Sequence, residues 1–410
     1  MDTPYHRASG VPEEMQNQGC KTAEIYGKRS DGSMTQEEYR AAMGDVVYLV
    51  SCAVNGIKPA EERISVMDLS RIYTAAQYHS LIAAVGMALQ SAGIRDEQFA
   101  QAIAKAQRKN ALLDADRTAL FHRLEQKNIW YMPLKGSVLK DFYPQYGMRQ
   151  MADIDILVDA DRAKDVKAIM ENLGFTTESF GRGNHDVYHK PPVSNFEIHT
   201  ALFRPSHEKK IYTYYQDVKS RLIKDEGNRC GWHFSPEDFY VYMTAHEYKH
   251  FSGGGTGLRS VLDTYVYLKE KGEALDWAYI AREVEKLGIS DFEAQNRSLA
   301  LCLFGREKLT EQDEEMLEYI LFSGTYGTVE HGISNKVEKL GGGLRGRAKY
   351  LLSRIFLPME SIKSVYPFFY KYKLLLPVLF FYRIGKGLTI RRRKVIGELK
   401  ILTKRSRFLG

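Results

Sequence analysis

The spacing of apolar residues changes character twice along this chain. From Thr35 to about residue 125 it is helical. TQEEYRAAMGDVVYLVSCAV opens with Thr35 three residues before Glu38, the spacing of a capping box, and then turns apolar. DLSRIYTAAQYHSLIAAVGMALQSAG has apolar residues three and four apart and stops at Gly93, predicting one helix. DEQFAQAIAKAQRKNALLDADRTALFHRLEQK predicts a long one.

Between residues 126 and 205 strands and helices alternate. NIWYMPLKG reads as a strand ending at Gly136, and residues 137–142 as a short helix stopped by Pro144. ADIDILVD is a strand, and ADRAKDVKAIMENLGF a helix ending at Gly174. HDVYHK and NFEIHTALF follow as two strands, joined by a turn cluster of Pro191, Pro192, Ser194 and Asn195. After Pro205 helical spacing returns. SPEDFYVYMTAHEYKHF offers Ser235 as a cap and Pro236 as the first helical residue. GLRSVLDTYVYLKEKG is amphipathic, and two more helices fall near 277–304 and 309–323. Glycine runs at 253–255 and 341–343 mark a loop and a boundary.

The pattern predicts an α+β fold. A flexible lead covers 1–34, an N-terminal helical region 35–125, a small mixed α/β core 126–205, a C-terminal helical domain 206–340 and a tail 341–410.

Bulk composition changes this picture only in places. With 410 residues, 44% apolar and 27% charged, the chain can bury a sizeable core. Cys20, Cys52, Cys230 and Cys302 lack the paired spacing of a disulfide framework or zinc motif, which points to a reducing compartment. The first twenty residues lack a signal peptide's apolar core, and no stretch reaches the roughly 18 apolar residues of a membrane span. The expected location is therefore cytoplasmic. Charge is uneven. From Arg345 onward there are 17 Lys/Arg and 2 Asp/Glu, so the first 344 residues are net acidic although the whole chain is +7.

The candidate chemistry lies in the core. Alternation puts Asp153 and Asp155 on one strand face, about 7 Å apart, where a divalent cation such as Mg²⁺ could bridge them. The plain alternative is a strand end with solvated aspartates. Lys135-Gly136-Ser137 closes a strand and opens a helix. It sets backbone N–H groups and a hydroxyl where a phosphate could sit, or forms an ordinary glycine turn with a capping serine. Glu197 shares a strand face with His199. A third carboxylate at the Asp153/Asp155 site would complete a two-metal arrangement; otherwise it marks a hairpin edge.

The order K-G-S, Y-P, R-x-M-x-D-I-D-I-L-V, L-G-F and F-E-I-H resembles the bacterial family labelled uncharacterised nucleotidyltransferases, of the DNA-polymerase-β-like superfamily. The resemblance spans residues 69–268, with a weaker echo in the tail. It implies a small mixed α/β nucleotidyltransferase core flanked by helical regions, and a Mg²⁺- or Mn²⁺-dependent transfer of a nucleoside monophosphate from a nucleoside triphosphate. Gly136 and Ser137 then match the phosphate-holding pair, Asp153 and Asp155 the metal ligands, Glu197 the third carboxylate and Arg149 a triphosphate contact. Lys135 would neutralise phosphate charge. Fifteen residues separate Ser137 from Asp153, a spacer longer than in the best-known superfamily members, which leaves the role of Arg149 open.

Other residues carry competing readings. His199 could orient Glu197, touch substrate or sit in the core. His246, Glu247 and His250 fit the H-E-x-x-H pattern of a zinc hydrolase, with Asp263 as a further ligand. Alternatively His246, His250, Arg259 and Asp263 line the acceptor side of the cleft, or Arg259 and Asp263 pair four apart on one helix. The basic, aromatic tail could meet an anionic membrane, bind nucleic acid or pack on the body. A non-catalytic nucleotide- or membrane-binding protein on the same fold is the remaining rival. The acidic body favours a small-molecule or peptide acceptor over RNA.

Overall fold

The computed structural model describes residues 34–205, 208–325, 327–389 and 392–403. The lead with Cys20, and Ile390 and Arg391 of the basic run, lie outside them. The described residues fall into two compact units. One comprises Met34–Lys249 and Gly257–Thr325; the other comprises His250–Thr256 and the chain after Thr325.

The larger unit opens with helices α1 (Gln36–Asn55), α2 (Leu69–Tyr78), α3 (Ile82–Ser91) and α4 (Glu97–Gln126). The capping box of Thr35 and Glu38 forms as its spacing predicts. The single helix expected over residues 68–93 is broken in two at His79–Leu81, with Ser80 at φ 57. The break frees the buried His79 ring for tertiary bonds. Tyr39 Oη lies 2.9 Å from its Nε2, and the Leu258 N–H donates to its Nδ1 at 3.1 Å. Local periodicity cannot report such partners.

The sheet comprises β1 (Tyr131–Pro133), β2 (Ile154–Val158), β3 (Thr176–Ser179), β4 (His185–Lys190) and β5 (Ser194–His199), in the spatial order β1-β2-β5-β4-β3. β2 and β5 are parallel and the other pairings antiparallel. Between β1 and β2 the K-G-S turn leads into the short helix α5 (Gly136–Leu139), and α6 (Ala163–Asn172) follows β2. Ser194 and Asn195, expected in the turn, instead begin β5 and pair with Lys190 and His189. β3 is an edge strand, just after the helix that ends at Gly174, for which the sequence pattern predicts no element.

The two sheet faces have opposite character. Ile154, Ile156, Val158, Phe196 and Ile198 pack with Leu113, Leu120 and Leu124 of α4 and with Val166, Ile169 and Met170 of α6. The other face carries Asp155 and Glu197. Beyond a small ribbon, β6 (Leu222–Lys224) with β7 (Trp232–Phe234), come α7 (Pro236–Gly253), α8 (Leu258–Lys271), α9 (Trp277–Leu287), α10 (Ser290–Gly305) and α11 (Glu311–Leu321). Ser235 caps α7, its Oγ accepting from the Asp238 N–H at 3.0 Å. The early and late helices share one body: Ser51 Oγ donates to the Phe304 carbonyl at 2.8 Å, and Tyr39 Oη to the Leu321 carbonyl at 2.9 Å. The mixed sheet among helices is the α+β architecture the pattern predicts.

The smaller unit contains α12 (Val329–Lys339), α13 (Gly343–Ile355), α14 (Leu376–Leu388) and α15 (Arg392–Thr403), with short helical turns between. Its core is slight: Ile333, Val337, Tyr350 and Leu402. Many of its large apolar residues are exposed, among them Phe368, Leu374 (95% exposed), Val378 and Phe381. Among the described residues no helix is long and apolar enough to cross a membrane.

Candidate active site

Strand register brings four ionisable side chains together. Asp155 on β2 lies directly opposite Glu197 on β5, and His185 on β4 directly opposite His199 on β5. Glu197 and His199 are two apart, so they share a face. Asp153 sits immediately before β2 and joins them from its lead-in.

The contacts are close. His199 Nε2 is 2.8 Å from Asp155 Oδ1 and 3.6 Å from Glu197 Oε2, and His185 Nε2 is also 3.6 Å from Glu197 Oε2. Lys135 Nζ lies 3.3 Å from Asp155 Oδ2. These distances explain how the charges divide. Burial pushes the Asp153 carboxyl up to about 6, with Asp155 and Glu197 adding repulsion. At Asp155 burial acts upward too, but Lys135 and the His199 hydrogen bond outweigh it and hold the carboxyl well below its usual range. Glu197 is also lowered: burial acts upward, but His199 and His185 beside it together outweigh burial and the Asp155 charge. His199 is raised because Asp155 and Glu197 overcome the burial of its ring.

The K-G-S turn borders this cluster. Lys135 adopts φ 39, a left-handed conformation unfavourable for a side chain with a Cβ. It is held where its ammonium reaches Asp155. Gly136 has no room for a methyl group: a Cβ there would lie 2.6 Å from Arg149 Nη1. Ser137 is buried and its Oγ has no hydrogen-bond partner. The expected cradle of backbone donors is narrower than the sequence suggests. The N–H of Ser137 donates to the Leu134 carbonyl, and those of Val138 and Leu139 to the Lys135 carbonyl.

Arg149, which the resemblance puts at the triphosphate, is engaged elsewhere. Its Nε and Nη2 each donate to Asp263 at 2.8 Å, and Tyr143 Oη donates to Asp263 Oδ1 at 2.7 Å. The expected Arg259–Asp263 pair therefore does not form; Arg259 donates to the Gln150 carbonyl at 3.1 Å. Asp263 thus lies behind the turn as a structural partner. His246 and His250 stand one turn apart on α7. Glu247 between them points into the helical core, accepting from Asn296 Nδ2 at 3.2 Å and Thr264 Oγ1 at 3.4 Å. That orientation departs from a zinc hydrolase, whose glutamate must face the metal-bound water.

Three residues near the cluster escaped the sequence reading. His185 completes a group with Glu197 and His199 whose ligand atoms lie within 4.8 Å of one another, suited to holding a metal. Lys249 is half-buried on α7, its Nζ 3.2 Å from His246 Nε2. Burial, and next the Lys135 charge, pull its ammonium down to about 7. Lys109 of α4 donates to the Ala152 carbonyl at 2.8 Å, next to Asp153. His185 was within reach of the sequence through hairpin counting. Lys249 follows His246 by three residues, one helical turn, but nothing local signals its shifted ammonium.

The donor set fits a divalent cation. Asp153, Asp155 and Glu197 act on one another electrostatically, Lys135 pairs with Asp155 alone among them at salt-bridge distance, and the buried Ser137 hydroxyl of the adjoining turn lacks a partner. No curated protein and no solved structure matches the chain. The uncharacterised nucleotidyltransferase family matches residues 65–305, more than half of the chain and every residue of this cluster. A partly buried carboxylate triad near a glycine-serine turn is chemistry that such an enzyme can use, and the chain belongs to that family.

Proposed function

We propose that this enzyme transfers a nucleoside monophosphate from a nucleoside triphosphate to the hydroxyl or phosphate oxygen of a small molecule or peptide, releasing pyrophosphate. The observation that carries this reading is the convergence of Asp153, Asp155 and Glu197 beside the unpartnered Ser137 hydroxyl. A divalent cation held by the three carboxylates, Mg²⁺ or Mn²⁺, would supply charge neutralisation of the triphosphate and acidify the acceptor hydroxyl. Ser137 Oγ donates to a phosphate oxygen, and Lys135 exchanges Asp155 for the phosphate chain. The acceptor oxygen bonds to the α-phosphorus as the bond to the bridging oxygen breaks, its electron pair leaving with pyrophosphate. Glu197 takes the acceptor's proton. Arg149 acts indirectly, filling the space beside Gly136 and fixing the turn.

Thermal shift with ATP, GTP, CTP and UTP, with and without Mg²⁺, tests the site. A ligand at about 100 times its Kd stabilises by ~2.7 kcal/mol. The expected result is a Mg²⁺-dependent increment in wild type that Asp153→Asn/Asp155→Asn abolishes. A folded protein with no increment for any nucleotide would sink the reading.

A second observation favours a peripheral membrane contact. Phe368, Leu374, Val378 and Phe381 are exposed on a segment that also carries Lys371, Lys373, Arg383 and Lys386. Apolar side chains next to bases suit an anionic bilayer surface, as on the cytoplasmic leaflet. Co-sedimentation with phosphatidylglycerol vesicles, weakened by Leu374→Glu/Phe381→Glu, is the expected result. Equal binding to neutral vesicles, or none, would remove it.

A further inference from the structure

We propose that His185, Glu197 and His199 form a nitrogen-rich metal site beside the Asp153/Asp155 pair, selective for a transition ion such as Mn²⁺, Co²⁺ or Zn²⁺ over Mg²⁺. The inference rests on the nucleotidyltransferase reading of the same sheet face, and gives one of its cation positions a distinct chemistry.

The spacing of the donor atoms points to an ion. Glu197 Oε2 lies 3.6 Å from both His185 Nε2 and His199 Nε2. That is too long for a hydrogen bond. It is near the ~3.4 Å that separates two ligands of a tetrahedral ion bound at ~2.1 Å. Asp155 Oδ1, hydrogen-bonded to His199 Nε2 at 2.8 Å, is released when an ion takes the place of the Nε2 proton. Asp155 can therefore supply a fourth donor and link this position to Asp153.

The backbone explains why these atoms meet. His185 and His199 are directly opposed across β4 and β5, with ring centroids 4.9 Å apart. Their Nδ1 atoms are buried and without hydrogen-bond partners. Neither ring is secured through that nitrogen by the surrounding protein, and both turn Nε2 toward Glu197. Mg²⁺ prefers oxygen ligands, whereas imidazole suits the later divalent ions, whose affinities rise along the first transition row. A carboxylate-only site on this face would have no use for two imidazoles at ligand distance.

The test titrates the full chain, stripped by chelator, with Co²⁺ in the presence of excess Mg²⁺. Its readout is visible d–d absorption, independent of activity. The expected result is one Co²⁺ bound per chain and not displaced by Mg²⁺. His185→Gln and His185→Ala should each weaken it at least ~100-fold, the upper range even for lost outer-shell partners. Asp153→Asn should change it far less. Mg²⁺ displacing Co²⁺ freely, no Co²⁺ bound, or binding that survives both His185 variants and is lost in His246→Ala would overturn the proposal. Unfolding temperatures and the Mg²⁺-nucleotide increment are read on the same proteins. Loss of Co²⁺ selectivity with the increment intact sinks this inference alone; loss of the increment in wild type sinks the function with it.

Discussion

Two groups of charge adjoin the Gly136 turn, and only one is closed. Arg149 and Asp263 form a two-bond ion pair, with Tyr143 Oη on the same carboxylate. One cation meets one anion and the local hydrogen-bonding needs are met. In the other group Asp153, Asp155 and Glu197 crowd together, and one of them is pushed up to about 6 by burial and its neighbours. There a serine hydroxyl and two imidazole nitrogens stay unpartnered. A charge cluster that only supports a fold is expected to be neutralised from within. A cluster left crowded and partly unsatisfied is configured for something that arrives from outside.

The comparison breaks most visibly through activity. Asp155→Asn removes the carboxylate that touches both Lys135 and His199. Nucleotidyl transfer should fall at least about a thousandfold, the scale of losing transition-state electrostatics. Stability should fall too at neutral pH, because the ionised Asp155 carboxylate is favourably paired with Lys135 and His199 in the fold. Single-turnover release of pyrophosphate and a melting curve on the same sample check both halves. A loss of stability with transfer left near the wild-type rate would place Asp155 with the closed cluster.

The mirror-image change is Asp263→Asn. It leaves Arg149 buried without its counter-charge and should cost about 3–5 kcal/mol in stability. Denaturant unfolding measures it. Arg149→Met strands the buried Asp263 carboxylate in turn and should cost a comparable amount; either variant unfolding like wild type would reverse the assignment. Gly136→Ala comes next. The added Cβ, 2.6 Å from Arg149 Nη1, must displace either the guanidinium or the turn. A cost of about 1–3 kcal/mol is expected from such overpacking, together with weaker nucleotide binding in the thermal-shift assay. An alanine variant that melts and binds like wild type would show that the turn yields freely.

The open cluster was far more legible in the sequence than the closed one. Strand alternation alone put Asp153 and Asp155 on one side and their isoleucines on the other, and the same rule coupled Glu197 to His199. The K-G-S turn was marked by its glycine. His185 becomes legible only through the register of the hairpin. With Pro191 to Val193 as the turn, Lys190 meets Ser194, and counting back puts His185 opposite His199. Including Ser194 and Asn195 in the turn slips the count by two residues. Arg149 and Asp263 are 114 residues apart, and Arg259, four away from Asp263, offered a nearer partner that the fold does not use. Helical spacing also ran straight through His79, whose role depends on Tyr39 and Leu258 from other helices. Patterns within one element were readable; pairings chosen by packing were not.

Glu247 gives the smallest effect and sharpens the comparison, because it is a buried carboxyl belonging to neither cluster. Burial, and next the Asp263 charge, push it up to about 8, despite the bonds from Asn296 and Thr264. An unfolded glutamate titrates near 4.3. Between these values the folded chain holds a proton that the unfolded chain has released, so stability falls as pH rises. The favourable contribution is complete below the unfolded pKa and is lost as pH climbs through about 8. Glu247→Gln keeps the shape and removes the titration. Relative to wild type it should gain stability and Tm progressively as pH rises above 5, and nearly nothing below pH 5. Melting curves of both proteins from pH 5 to 9 should therefore diverge upward with pH. Parallel curves would mean that Glu247 is ionised in the fold, and that α7 turns toward its helical neighbours a charge of the kind assigned only to the sheet face.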